Sequence, residues 1–295
     1  MNLTETRKGD LAIIVQCVLW GLFPVITVLS YSSVSPIISL ACSVLLATLF
    51  FAVYLTFKKK WRELADTTIW KDYLIMAILI GVLYYGLYYY GLKYTKPGNA
   101  SLIALLEFFY SFLFFNVWKK QYFSFRHILG ALLMIFGAAI ILFPKAGVFN
   151  KGDLFVAVAI LFAPIVNHIA QRLLKKVSSE TIMFARSLLT LPFAFLFIFI
   201  FKEKISFEAI QKSFWLLLIN GFLVLGLAKI FWLEGIHRIP VTKAAALLSV
   251  GPLFTLLYAF ILLHQIPTIG QLSAFVPLAA GLFFLTSEKN PLPEP

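Results

Sequence analysis

Of the chain's 295 residues, 61% are hydrophobic and 13% charged, and the mean hydropathy is +0.92. Soluble domains run near half apolar and a quarter charged, so water is not the only solvent for this surface. The formal net charge of +12 sits mostly in short loops between apolar runs, a pattern that fits orientation in a membrane and excludes nucleic acid as the expected partner.

Along the chain, the polar stretch Met1 to Asp10 precedes a first apolar run, Leu11–Leu29. That run exceeds the usual core of a signal peptide and many like it follow, so it reads as a retained span. A helix needs about 20 apolar residues to cross the hydrocarbon. The further candidates in the first half are Pro36–Phe57, Tyr73–Leu92, Gly98–Trp118 and Ile128–Phe143. The second half offers Leu154–Ala170, Thr181–Phe201, Phe214–Leu233, Val241–Leu263 and Ile269–Thr286. A β-barrel would alternate apolar and polar residues, and runs such as Leu132 to Leu142 do not. The expected class is an all-α integral membrane protein of ten transmembrane helices. Cys17 and Cys42 lie inside apolar runs without metal-ligand spacing, so no metal, cofactor or disulfide framework is implied.

Loops on the N-terminal side carry 15 Lys and Arg residues and those on the opposite side carry 7. The bias places both termini in the cytoplasm of a multi-pass protein in the cytoplasmic (inner) membrane.

Shifted by 143 or 144 residues, the sequence resembles itself. Lys8-Gly9-Asp10-Leu11 recurs as Lys151-Gly152-Asp153-Leu154, Ala41 and Ser43 meet Ala185 and Ser187, and Gly91, Ala100 and Gly137 meet Gly235, Ala244 and Gly281. The chain therefore divides into five-helix repeats, residues 1–147 and 148–295, in one integrated membrane domain. An odd span count makes the second repeat enter from the opposite side. Such inverted repeats recur in secondary transporters, with the site between the halves.

Ionisable residues inside spans are costly and usually face a cavity or a partner. Glu107 lies ten residues past Pro97 and eleven before Trp118, roughly 15 Å from either face at 1.5 Å per residue. It must be protonated, paired or wetted. Its repeat equivalent is Gly251, which precedes Pro252, and a proline there frees a backbone carbonyl at membrane depth. Arg186, Lys229 and His168, with Asn167 beside it, fall at similar depth and read as a basic pocket for a carboxylate or phosphate. Glu234 and Lys243 read as a structural salt bridge near one interface, and Asn99, the equivalent of Lys243, as a polar gate residue or helix start. Trp20, Phe23, Tyr84, Tyr85, Tyr88 and Tyr89 offer an aromatic lining, although the run from Tyr84 to Tyr90 covers so much of a helix that part of it must face lipid. Pro24 and Pro164 occupy nearly equivalent positions and read as kinks that flex during gating.

The Trp20-Gly21-Leu22-Phe23-Pro24 stretch, the Gly91-Leu92-Lys93-Tyr94-Thr95 turn, the Gly130–Gly137 pair, and Gly251-Pro252 followed by Gly281 together resemble the drug/metabolite transporter superfamily, in its EamA-type ten-helix branch. The resemblance covers Asp10 to Thr286. The chain departs from the pattern at Phe108, where a proline is usual, and at Gln121 and Gln265, where acidic residues are usual. The resemblance implies a cavity lined by spans one, three, four, six, eight and nine, and movement of amino acids or other metabolites in an unspecified direction.

The expected function is alternating-access transport of a small organic metabolite, amino acid or related, coupled to protons or to exchange. A phosphorylated or nucleoside-like solute such as S-adenosylmethionine is the alternative, and a membrane scaffold a remote one. The expected partners are that solute and the lipid bilayer, and nothing requires an oligomer. The sequence offers no nucleophile and base pair, metal cluster or phosphate loop for an enzyme.

Overall fold

A computed structural model describes residues 4–118, 125–143, 150–239 and 241–286. Gln121 lies outside the described residues, as do Lys119, Lys120, Lys145 and Lys289 of the loop-charge count. Ten helices among those described are long and apolar enough to span a bilayer: α1 (Glu5–Ser30), α2 (Pro36–Lys58), α3 (Thr67–Leu92), α4 (Pro97–Phe115), α5 (Phe125–Leu142), α6 (Lys151–Leu173), α7 (Ser179–Ile200), α8 (Phe207–Arg238), α9 (Ala246–Leu263) and α10 (Ile269–Thr286). With an even number of spans, the start of α1 and the end of α10 share one face, called here the terminal face; the other is the far face.

Helices are what a bilayer permits, because each satisfies its own backbone. The sequence marks their ends. Thr4, Ser35 and Ser206 accept hydrogen bonds from the amides of Arg7, Ile38 and Ala209 at the starts of α1, α2 and α8. α2 and α9 stop at Lys59 and His264, both in the left-handed backbone region. α1 begins ahead of the apolar run and α8 extends it at both ends, because capped polar turns continue the helix beyond the hydrocarbon. Outward faces are apolar, with Phe57, Phe199 and Ile269 exposed as lipid-facing residues should be. On the terminal face, Glu63 in the α2–α3 loop accepts bonds from the Ser178 amide at 2.7 Å and from the hydroxyls of Ser178 and Thr181 at 2.6 and 2.7 Å, docking the loop on α7. Burial acts to raise the Glu63 pKa, but these donors hold it below the usual carboxylate range.

The repeat reappears as packing. α5 lies against α10 and α2 against α7, each helix meeting its own equivalent. α1 crosses α8 as α6 crosses α3. Both crossings are made at glycines. A Cβ on Gly9 would stand 3.4 Å from the Gly235 carbonyl oxygen, and one on Gly152 would stand 2.7 Å from that of Gly91.

Irregularities repeat as well. α4 breaks at Leu105, between helices Pro97–Ala104 and Leu106–Phe112. The ninth span breaks at Ser249 and Val250, between Val241–Leu248 and Gly251–Leu263, at the equivalent depth. The expected break beside Pro252 therefore exists, and α4 has its counterpart without a proline. Wide π-helical turns occupy Ala77–Tyr84 in α3 and Ile219–Leu227 in α8, their starts 142 and their ends 143 residues apart. Such turns shift the angular position of everything beyond them and often mark functional sites.

The glycine crossing gives a direct test. A Cβ at Gly152 would lie 2.6 Å from the Thr95 nitrogen and 2.7 Å from the Gly91 oxygen, backbone atoms that cannot rotate aside. Gly152→Ala should cost about 1–3 kcal/mol, read as a lower thermal midpoint in detergent. Gly86→Ala and Gly251→Ala, whose new methyls meet no atom within 4 Å, should leave the midpoint unchanged or raise it. Equal midpoints for all three would contradict the close approach of α3 and α6.

Candidate functional site

Glu107 follows the break in α4, and α6 places Asn167 beside it. The Asn167 amide donates to the Glu107 carboxylate at 3.0 Å. From α8, directly after the π-helical turn, Lys229 lays its ammonium over the Trp20 ring of α1 at 3.7 Å, a cation–π contact. Lys229 lies within electrostatic reach of both Glu107 and Arg186. Arg186 projects from α7 into a narrow cavity lined by Val44, Ala47, Gly81, Tyr85 and Thr190. Among the described residues, no side chain hydrogen-bonds or ion-pairs with its guanidinium. Five helices thus bring one carboxylate and two cations into a single neighbourhood at membrane depth.

His168 does not complete the expected trio of bases. Its ring packs on Phe114 and Phe115 of α4, at centroid distances of 6.1 and 5.8 Å, and is exposed. Asn167 and His168 are consecutive, so they project about 100° apart around α6, and only Asn167 turns to Glu107.

Aromatic side chains of α1 and α3 pack into one wall. Trp20 stacks on Phe23 at 5.1 Å, and Phe23 contacts Tyr85, Tyr88 and Tyr89 at 5.2 to 6.1 Å. Tyr84 stacks on Tyr88 at 5.8 Å. Tyr84, Tyr85, Tyr88 and Tyr89 are all buried, whereas Tyr90 is exposed and turns away to Tyr94. Pro24 is buried within an unbroken α1, while Pro164 and Pro252 open the second segments of α6 and the ninth span. Gly251 faces open space, so the equivalent of Glu107 carries no side chain where Glu107 carries a carboxyl group.

Beneath the wall lies a polar node that the sequence reading missed. The Asn220 amide nitrogen is 3.0 Å from Thr27 Oγ1, 3.3 Å from Ser43 Oγ and 2.9 Å from the Tyr89 hydroxyl, joining α8 to α1, α2 and α3. An asparagine inside an apolar run, with glycine next to it, was the available signal.

The polar residues near the two faces also differ from expectation. Lys243 does not pair with Glu234. It binds Asp10 of α1 at 2.6 Å, and Glu234 pairs with Arg238, which also reaches Glu5. Glu234 precedes its arginine by four residues, one helical turn, which is the shorter reach. On the far face, Asn99 donates to both oxygens of Asp153, at 3.4 and 3.2 Å, and Thr95 donates to the same carboxylate. Gln271 of α10 donates to Asn99 Oδ1 at 2.8 Å. Asp10–Lys243 and Asp153–Asn99 occupy equivalent positions in the two repeats, 143 and 144 residues apart.

Ten spanning helices in two repeats, meeting around a cluster of ionisable groups, have the architecture of a membrane transporter. The chain belongs to the EamA-like transporter family, whose description matches residues 7–143 and again 150–287. It is 26% identical over 222 residues to the "Uncharacterized transporter YoaV" of Bacillus subtilis (strain 168), covering 73% of this chain and 75% of that protein. A solved crystal structure aligns with a TM-score of 0.68 at 18% identity, over 94% of this chain and 96% of the other, which shows the shared fold.

Proposed function

We propose that this transporter moves a small organic solute bearing an anionic group by alternating access across the cytoplasmic membrane. The observation that carries the reading is the charge balance of the central cluster. Arg186 and Lys229 stand against the single carboxylate of Glu107, and the Arg186 guanidinium has no protein partner among the described residues. An uncompensated cation is expensive away from water. A solute carboxylate at Arg186 supplies the missing charge, and a solute ammonium suits Glu107, so an amino acid or a related metabolite fits both. A phosphorylated solute is the second reading, since two neighbouring cations also suit a phosphate. Trp20, Tyr84 and Tyr88 supply the apolar wall.

Purified protein in proteoliposomes, offered a panel of metabolites, tests transport itself. Once a solute is found, Lys229→Ala should weaken its binding about tenfold or more, as the loss of one desolvated charge contact implies. Unchanged affinity places the pocket elsewhere.

Glu107 serves as the coupling group in this reading. It holds a proton, or the solute's amino group, in one access state and releases it in the other, so that ligand and conformation bias each other. Glu107→Gln keeps the shape and fixes the neutral form. It should abolish flux driven by a pH gradient while the protein stays folded and binds solute. Accumulation against a gradient with wild-type pH dependence would make Glu107 structural.

The terminal face is assigned to the cytoplasm on its surplus of Lys and Arg. Cysteines placed at Lys59 and Ser33 in a background lacking Cys17 and Cys42 should differ in intact cells. The Ser33 position should react with an impermeant thiol reagent and the Lys59 position should not. Equal reaction contradicts the orientation.

A further inference from the structure

The two repeats place equivalent carboxylates in unequal company. Near the terminal face Asp10 is matched by the ammonium of Lys243 at 2.6 Å. Near the far face its equivalent, Asp153, is fully buried and meets Asn99, the neutral residue at the position equivalent to Lys243. We propose that Asp153, Thr95 and Asn99 form a proton-binding latch that closes the far face when Asp153 takes up a proton and lets it open when the proton leaves.

The hydrogen-bond directions support this. Gln271 Oε1 accepts from the Thr268 amide at 3.0 Å, which turns its Nε2 toward Asn99 Oδ1. Asn99 Oδ1 is thereby occupied, and its NH2 must face Asp153. Thr95 is the remaining side-chain partner, and a hydroxyl donates or accepts with equal ease. It donates to the carboxylate and accepts from the carboxylic acid, so a proton can arrive at or leave Asp153 without stranding the hydroxyl. Lys243 has donors alone and offers Asp10 no such choice. A buried anion without a cation is costly, and one proton on a carboxylate oxygen removes the cost. Asp153 also lies in the first turn of α6, where the helix dipole sustains the anion once water enters. Both forms are therefore accessible, each in a different state of the gate.

Nearby charges do not substitute for the missing cation. Lys151, two residues earlier in α6, lies over the Tyr94 ring at 3.8 Å. Lys93 stands 5.7 Å from the same ring, and Lys96 is exposed in the turn before α4. Of the titratable groups on the other elements packed against α6, Tyr84, Tyr85, Tyr88 and Tyr89 belong to the aromatic wall and Tyr90 bonds Tyr94. Glu107, Tyr110, Arg126 and His127 lie further along α4 and α5, and Lys71, Asp72 and Tyr73 at the start of α3, all toward the terminal face.

The latch rests on the transport reading, but its test needs no solute. Ile103 is fully buried, one helical turn below Asn99 on the same face of α4. In a background lacking Cys17 and Cys42, Ile103→Cys is labelled with a maleimide in nanodiscs between about pH 5.5 and about pH 8.5. Each rate is divided by that of Lys96→Cys, an exposed reference that cancels the thiol's own titration. With Asp153 intact the ratio should rise with pH, by up to about tenfold per unit, as loss of one proton requires. Asp153→Asn, a fixed neutral side chain, should stay protected at every pH. Asn99→Lys, which rebuilds the ion pair of the other repeat, should also lose the pH dependence. Because the readout is labelling and not flux, a flat ratio in a protein that transports defeats the latch alone, whereas loss of transport leaves the labelling result standing. Wild-type pH dependence in Asp153→Asn or Asn99→Lys, or a flat ratio with Asp153 intact, would each overturn the proposal.

Discussion

A bilayer offers no hydrogen bonds and little dielectric screening, so each polar group carried across it needs a partner within the protein. The rest of the structure follows from that constraint. Backbones close on themselves as helices, and side chains find one another across them. Asn167 meets Glu107, Lys229 meets an indole face, and Asn220 gathers three hydroxyls from three other spans. Against this background the guanidinium of Arg186 stands out, since no side chain among the described residues hydrogen-bonds or ion-pairs with it; in the proposed function a charged solute supplies that partner.

Duplication explains the frame. The glycine crossings of α1 with α8 and α6 with α3 let backbones approach, and the breaks in α4 and the ninth span fall at matching depth. The π-helical turns of α3 and α8 match too, and each leads into the segment that carries cavity side chains: the tyrosine wall in α3 and Lys229 in α8. The frame gives two equivalent halves, an arrangement that recurs in secondary transporters.

Chemistry enters where the halves differ. Glu107 stands opposite Gly251, and Asn220 has alanine or methionine at the equivalent positions, 77 and 76. Asp10 has a lysine where Asp153 has an asparagine. These differences give a symmetric scaffold one central charge arrangement and two dissimilar ends.

The sequence alone determined the span count, the repeat and the family, because each rests on a local or periodic quantity: twenty-residue apolar runs, a constant offset, short motifs. It also exposed Glu107, Arg186 and Lys229, since a charge inside an apolar run is conspicuous without coordinates. Angular position and partner choice belonged to the tertiary structure. Asn167 reaches Glu107 while adjacent His168 turns to Phe114 and Phe115, a matter of helix rotation that residue spacing fixes only once the neighbouring helices are placed. Lys243 takes Asp10, 233 residues away, over the nearer Glu234, because α1 crosses the last turns of α8 at Gly9 and Gly235. Asp153 read as half of a repeated motif and Asn99 as the equivalent of Lys243, but that the two meet became visible only when folding set α4 against α6. Local composition decides which groups cannot stay in lipid; long-range packing decides which of them meet.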